Sequence, residues 1–297
     1  MTAPMRLGAV IITMGNRPDE LKALLDSVAR QDGDPVEVVV VGQGVQLPEL
    51  AGLAPGVRTV ELPENLGIPG GRNVGIEAFG PGGRDVDVLL FLDDDGLLER
   101  TDTAELCRQA FTEDPELGIV SFRIADPDTG ATQRRHVPRL RASDPMRSSR
   151  VTTFLGGANA VRTEVFQQVG VLPGEFFYAH EETDLAWRAL DAGWLIDYRA
   201  DMVLLHPTTA PSRHAVYHRM VARNRVWLAR RNLPAPLVPA YLGVWLLLTL
   251  LRRPSAPALK AWFGGFKEGW ATPCGPRHPM KWRTVWRLTR LGRPPVI

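Results

Sequence analysis

A six-residue lead gives way to an apolar run, Leu7–Thr13, which stops at Met14-Gly15-Asn16-Arg17. Leu21, Leu24, Leu25 and Val28 then recur at helical spacing and predict a helix over Pro18–Arg30, with Pro18 in the first turn, where its missing N–H costs nothing. The alternation repeats. Val36–Val41 is a β-branched run closed by Gly42-Gln43-Gly44, and Val57–Leu62 is a shorter one. Gly70–Phe79 reads as a helix entered through glycines, and Val86–Leu92 as a fourth apolar run cut off at Asp93-Asp94-Asp95. Strands without polar alternation, separated by helices, predict an α/β fold with a mainly parallel sheet covered on both faces. Ligands of such sheets bind beyond the carboxyl ends of the strands. Met14–Arg17, Gly42–Gly44 and Asp93–Asp95 all fall there.

The second half is less regular. Ile119–Ile124 reads as a strand, Asp126–Arg150 as a polar, Arg-rich loop, and Thr153–Val161 carries Gly156-Gly157-Ala158-Asn159. Glu182–Ala192 has helical spacing, Trp194–Tyr198 and Met202–Leu205 read as two strands ending at His206, and His214–Arg231 reads as a strongly basic helix. No internal repeat is visible.

Composition narrows the class. At 297 residues, 44% hydrophobic and 23% charged, the chain is too ordinary for disorder, collagen or coiled coil, and long enough for a large core. Two distant cysteines, Cys107 and Cys274, make neither a disulfide framework nor a cysteine zinc site, which points to a reducing compartment. The lead before Leu7 is too short for a secretory signal core. The net charge of +2 hides an asymmetry: Arg252–Ile297 carries +9 and four of the eight tryptophans, and the rest carries −7. An acidic body with a basic, Trp-rich end predicts an anionic partner for that end.

Five groups of residues carry candidate chemistry. Three adjacent carboxylates at the end of a buried strand repel unless a cation compensates, and hard oxygen ligands select Mg²⁺ or Mn²⁺. The stretch Asn65-Leu66-Gly67-Ile68-Pro69-Gly70-Gly71-Arg72-Asn73 offers bare backbone N–H groups beside a guanidinium, suited to anionic oxygens, but lacks the Gly-Lys-Ser/Thr of a P-loop. In His180-Glu181-Glu182-Thr183-Asp184 one carboxylate can serve as a general base. Acids in a first helical turn also complement the helix dipole, and Asp184 can pair with Arg188. His206, ending a strand, is a candidate imidazole ligand. The arginines of the basic helix, Arg213 through Arg231, suit a solvated face, a phosphate clamp or a lipid-facing surface.

Taken together these segments resemble the glycosyltransferase family 2 proteins of GT-A fold. The residues that carry the likeness are Ile11-Ile12-Thr13 to Arg17, Asn65 through Gly75, Asp93-Asp94-Asp95, Gly156-Gly157-Ala158-Asn159 and Glu181 through Leu185. His206 followed by Tyr217-His218 and Arg223-Asn224-Arg225 is similar to the rhamnosyl- and galactofuranosyltransferase-like branch. The resemblance implies inverting transfer of a sugar from a nucleotide-diphosphate donor, UDP- or dTDP-linked. Donor contacts would come from Thr13, Arg17, Gln43, Gly70, Arg72, Asn73, Asp93 and Asp94. A divalent Mn²⁺ or Mg²⁺ would sit on Asp95, Asp93 and His206, and acceptor contacts would come from Gly157, Asn159 and Trp187. The family usually has Glu-Asp where this chain has Glu181-Glu182, so the base falls on Glu182, with Glu181 and Asp184 as rivals.

The expected organisation is a transferase domain over 1–232 and a helical extension over 233–297. Leu233–Leu251 carries no charge, but prolines break its start and leave Ala240–Leu251, about 18 Å of helix, against a hydrocarbon core of about 30 Å. With the Trp, Lys and Arg that follow, this favours peripheral association with the anionic inner face of the plasma membrane over a span. The acceptor is then a lipid-linked or cell-envelope glycan, or a small molecule. Nucleic acid is not expected as a partner, and a homo-oligomer is left open. A soluble natural-product glycosyltransferase, a nucleotidyltransferase and a non-catalytic glycan- or lipid-binding protein on the same scaffold are the competing readings.

Overall fold

The structure is a computed structural model that describes residues 5–47, 56–140, 144–207, 215–252 and 254–297. Arg213 and His214, assigned above to the basic helix, lie outside the described residues. The strands are β1 (Leu7–Thr13), β2 (Glu37–Gln43), β3 (Arg58–Leu62), β4 (Val88–Asp93), β5 (Leu97–Leu98), β6 (Leu117–Ala125), β7 (Ser149–Arg150), β8 (Ala158–Arg162) and β9 (Leu195–Leu205). They form one sheet of order β3-β2-β1-β4-β8-β6-β9-β5, with β7 on β9.

β1, β2, β3 and β4 pair parallel, as the apolar runs predict. The other half is mixed. β8 runs antiparallel between β4 and β6, β9 parallels β6, and β5 and β7 run antiparallel to β9. An antiparallel strand starts where its neighbour ends, so the residues just before β8 arrive at the carboxyl end of β4: the Asp93 N–H donates to Gly157 O at 3.1 Å. β9 is one strand of 11 residues where two were expected. Its polar centre survives because Arg199 and Asp201 pair with each other at 2.7 Å, while the register with β6 shifts there: Phe122 and Arg123 face Arg199 and Val203, and β9 carries the extra residues between them.

Period-2 alternation within the strands divides the core. Ala9, Ile11, Val38 and Val40 pack with Leu21, Leu24 and Leu25 of α1 (Pro18–Ala29) and with Phe111 of α3 (Thr103–Glu113). Val10, Val39 and Val41 pack on the opposite face with Ile76 of α2 (Gly67–Glu77), beside α4 (Thr163–Val169) and α5 (Glu181–Ala192). A Cβ at Gly75 would stand 2.3 Å from Val10, so only glycine lets α2 lie this close to β1. The last four helices are α6 (Ala215–Asn232), α7 (Leu237–Leu251), α8 (Ala256–Ala271) and α9 (Trp282–Arg290). α8 lies against α6 through Gly265 and Gly269, where a Cβ would meet Arg219 O at 2.0 Å and Val226 Cβ at 2.7 Å. Among the described residues no helix is long and apolar enough to cross a membrane.

Candidate active site

Register sets the floor of the site. Thr13 stands opposite Gly42, and Ile12 opposite Asp93, so β1, β2 and β4 end level. A cleft of about 470 Å³ opens over these ends, lined by Thr13, Arg17, Gln43, Asp93–Asp95, Tyr178 and His206. Thr13 Oγ1 donates to Asp94 Oδ2 at 2.7 Å, and Arg17 Nη1 reaches Asp94 Oδ1 at 3.2 Å and Asp95 Oδ2 at 2.7 Å. Burial pushes the Asp94 carboxyl above its ordinary pKa despite these partners. Gln43 Oε1 accepts from Leu66 N at 3.1 Å and pins the entry to α2. Gly70 and Asn73, expected on the donor, do not line the cleft. A Cβ at Gly70 would stand 2.7 Å from Leu66 Cβ, and the Asn73 amide both donates to Leu172 O and accepts from Leu172 N, tying α2 to the far layer.

His206 follows β9 and points Nε2 at Asp95 Oδ1, 3.0 Å away, while Nδ1 lies 2.8 Å from Pro207 O. A carbonyl oxygen only accepts, so Nδ1 carries a hydrogen, and a neutral ring would aim its Nε2 lone pair at a carboxylate oxygen. Only a proton or a cation between the two satisfies that contact. Asp95 and His206 therefore fit a divalent ion in donor chemistry. Asp93 is turned away from them and bonds Arg72 Nη2 at 3.3 Å. Among the described residues no three His, Cys, Asp or Glu side chains converge as an ion site.

Arg72, expected near the donor diphosphate, is buried and bridges two carboxylates instead: Asp93 on one side and Glu182 Oε1, at 3.6 Å, on the other. The Gly156-Gly157 turn presses on both. A Cβ at Gly157 would lie 1.8 Å from Asp93 Oδ2, and one at Gly156 would lie 2.0 Å from Glu182 Oε1. Asn159, expected on the acceptor, is 1% exposed and donates to Leu155 O and Gly156 O, and so holds that turn.

The expected bases separate cleanly. Asp184 is fully buried, with Arg188 Nε at 2.8 Å, Arg231 Nε at 3.0 Å and Asn232 Nδ2 at 2.7 Å. Every one of its partners is structural, and it ties α5 to α6. Glu181 is 1% exposed, and burial, then the neighbouring Glu182 charge, pushes it up to about 8. Glu182 keeps 23% of its side chain exposed, and burial raises it as well. Trp187 is a core ring packed edge-on against Tyr241, at 6.0 Å between centroids.

The segment that delivers these carboxylates is strained. Phe177, Ala179 and His180 all have positive φ (62°, 70° and 74°), a region costly for side-chain-bearing residues. Fully buried Asn224 of α6 clamps them, donating to Phe176 O at 2.8 Å, Tyr178 O at 2.7 Å and Ala179 O at 3.0 Å. Sequence reasoning assigned Asn224 no role. Its signal was a polar residue between two arginines on an otherwise buried helix face.

Comparison with known proteins follows this geometry. The sequence model described as glycosyl transferase family 2 matches residues 9–170. No curated protein matches by sequence. Among solved structures, the S. aureus TarS 1-349 fragment in complex with UDP-GlcNAc is similar at TM-score 0.63 and 15% identity, covering 91% of this chain and 82% of that one. GalNAc-T7 with UDP, GalNAc and Mn²⁺ is similar at TM-score 0.63 and 14% identity, covering 93% and 53%. Against S. aureus TarS the values are 0.52 and 17%, covering 75% of this chain, which spans only 40% of that one. The architecture shared with these is the GT-A fold.

Proposed function

The chain belongs to glycosyltransferase family 2, and from that membership we propose that it moves a sugar from a UDP- or dTDP-linked donor to a hydroxyl acceptor, with inversion at the anomeric carbon. One observation carries the reading. Arg72 stands between Asp93, at the floor of the main cleft, and Glu182, with both carboxylates seated on the Gly156-Gly157 turn. The donor ends in the cleft, its diphosphate toward Asp93, Asp95 and His206 and its nucleoside along Thr13, Arg17 and Gln43. That the similar TarS fragment binds UDP-GlcNAc and GalNAc-T7 binds UDP supports this choice of donor.

Glu182 is the base. It takes the acceptor hydroxyl proton as the oxygen attacks the anomeric carbon and the bond to the diphosphate breaks. Glu181 holds a proton beside it, and Arg72 keeps Glu182 and Asp93 at fixed separation. Asp95 and His206 would hold the Mn²⁺ or Mg²⁺, which neutralises charge on the leaving diphosphate when bound. Asp184 is a packing residue. His206 and the Arg223-Asn224-Arg225 segment favour the rhamnosyl-/galactofuranosyl-like branch.

Residues 1–232 form the transferase body. The 233–297 extension packs on α6 and associates with the inner face of a membrane. Support for that comes from Leu247, Leu250 and Leu251 of α7 and from Trp282 and Trp286 of α9, all more than 40% exposed, the tryptophans sharing their helix with Arg283, Arg287 and Arg290. Calorimetric titration with UDP and dTDP, each with Mn²⁺ and with chelator, tests the reading. Metal-dependent binding that Asp95→Ala abolishes and Glu182→Gln spares is the expected result. No binding of either nucleotide would overturn it.

A further inference from the structure

The arginines of α6 are almost all spent on the fold. Arg219 and Arg223 pair with Glu268, Arg230 donates to carbonyls of Gly269, Trp270 and Thr272, and Arg231 pairs with Asp184 and Glu175. Arg225 is the exception. It is 9% exposed, its guanidinium carbon lies 3.5 Å from the centroid of the Trp245 ring, and its Nη1 donates to Tyr241 Oη at 3.2 Å. Among the described residues no carboxylate pairs with it.

Arg225 lines a second cavity of about 460 Å³, together with Arg293, His180, Thr183, Tyr241 and Trp245. Arg293 likewise forms no ion pair among the described residues, and burial, together with the nearby Arg225 charge, depresses its pKa. His180 Nε2 is buried without a hydrogen-bond partner, and burial with the two arginines keeps the ring neutral. Two guanidiniums around one hollow, neither paired with a carboxylate among the described residues, cost free energy that an anion would return. A planar guanidinium stacked on an aromatic ring leaves its N–H edge for oxyanions.

The location gives the anion a role. The main cleft is lined by Phe177 and Tyr178, and the second cavity by His180 and Thr183, so the segment carrying Glu181 and Glu182 runs between them. Tyr178 and Tyr217, one from each hollow, meet edge to face at 5.9 Å. We propose that this second cavity is a subsite for a phosphoryl group of the acceptor, held by Arg225 and Arg293, with aromatic walls for the portion next to it. The acceptor class is thus a phosphorylated one. Its assignment as acceptor rests on the transferase reading above, whereas the anion site does not.

The test is calorimetric titration of inorganic pyrophosphate into the full chain in metal-free buffer, comparing wild type, Arg293→Gln and Arg225→Gln. Arg293 is less buried than Arg225, so Arg293→Gln still reports if Arg225→Gln does not fold, with circular dichroism and Tm as the folding check. A loss of affinity of at least fivefold in Arg293→Gln supports the site. A smaller change, or no binding by wild type, overturns it. Arg293-dependent binding of glycerol phosphate identifies a soluble phosphoester. Arg293-dependent binding only to phosphatidic acid vesicles, against phosphatidylcholine vesicles, identifies a lipid phosphate. If pyrophosphate binds through Arg293 while UDP does not bind at all, the subsite stands and the donor reading falls.

Discussion

Adjacent glycines at 156 and 157 allow the two halves of the proposed chemistry to be disturbed one at a time. Alanine at 157 places a Cβ 1.8 Å from Asp93 Oδ2 and 1.9 Å from its carboxyl carbon, where contacts below 3.0 Å do not persist. The carboxylate must swing away by more than about 1 Å, and misplacement on that scale costs about 10²-fold in rate, or roughly 2.7 kcal/mol. Alanine at 156 makes the same demand on Glu182, 2.0 Å away, and crowds Arg72 Nη1 at 2.9 Å. The atoms that must move are side-chain ends, so the fold yields cheaply and Tm should fall by only a few degrees. Gly157→Ala is expected to weaken UDP binding by calorimetry. Gly156→Ala is expected to spare UDP binding while lowering sugar transfer about 10²-fold, followed as released UDP. Two variants with the same profile, or Gly156→Ala within threefold of wild type in turnover, would refute the division of roles.

Asn224→Ala takes the side-chain donor from Tyr178 O and Ala179 O, at about 1–3 kcal/mol each for those water cannot reach, while Phe176 O keeps Tyr178 N and Arg223 Nη2. A large drop in denaturant midpoint, with turnover falling more than UDP affinity, is expected. A variant as stable as wild type would show that the positive-φ turn holds itself. Glu181 is raised to about 8 by burial and by Glu182, far above its unfolded value. Its contribution to stability is therefore full at acid pH and is lost as pH rises from about 4 toward 8. Glu181→Gln fixes the neutral form, so its Tm should match wild type near pH 5 and exceed it near pH 8.5. Parallel Tm profiles would sink that assignment. Trp282→Glu with Trp286→Glu, both exposed on α9, should reduce sedimentation with anionic vesicles about tenfold. Unchanged partitioning would remove the membrane proposal.

The floor of the cleft was legible because buried parallel strands advertise themselves. Leu7–Thr13, Val36–Val41 and Val86–Leu92 are near-continuous apolar runs, interrupted only by Glu37 and Asp87 near their starts, and whatever follows such a run lies at a strand end. The pairing of Asp184 with Arg188 was also readable, since four residues make one helical turn. Its second partner, Arg231, lies on another helix, and no local spacing reveals it. The destination of Arg72 was hidden for the same reason: a glycine-rich helix entry places an arginine near the sheet but not between two particular carboxylates. The positive-φ turn was invisible because Phe177, Ala179 and His180 are not the residues that signal left-handed backbone. β9 was broken in two because Arg199 and Asp201 look like a turn until their mutual pairing is seen.

The Asn224 clamp has a consequence for how the molecule is made. The segment 176–180 carries three positive-φ residues, and its carbonyls accept from a side chain more than forty residues downstream. During synthesis the parallel strands can assemble a nucleotide-sized cleft while α6 is still unmade. Glu181 and Glu182 are seated only after that helix has left the ribosome and docked. A chain ending short of α6 would keep the strand-end floor of the cleft, with Asp93, Asp94 and Asp95, and lack the seated wall that carries Tyr178, Glu181 and Glu182.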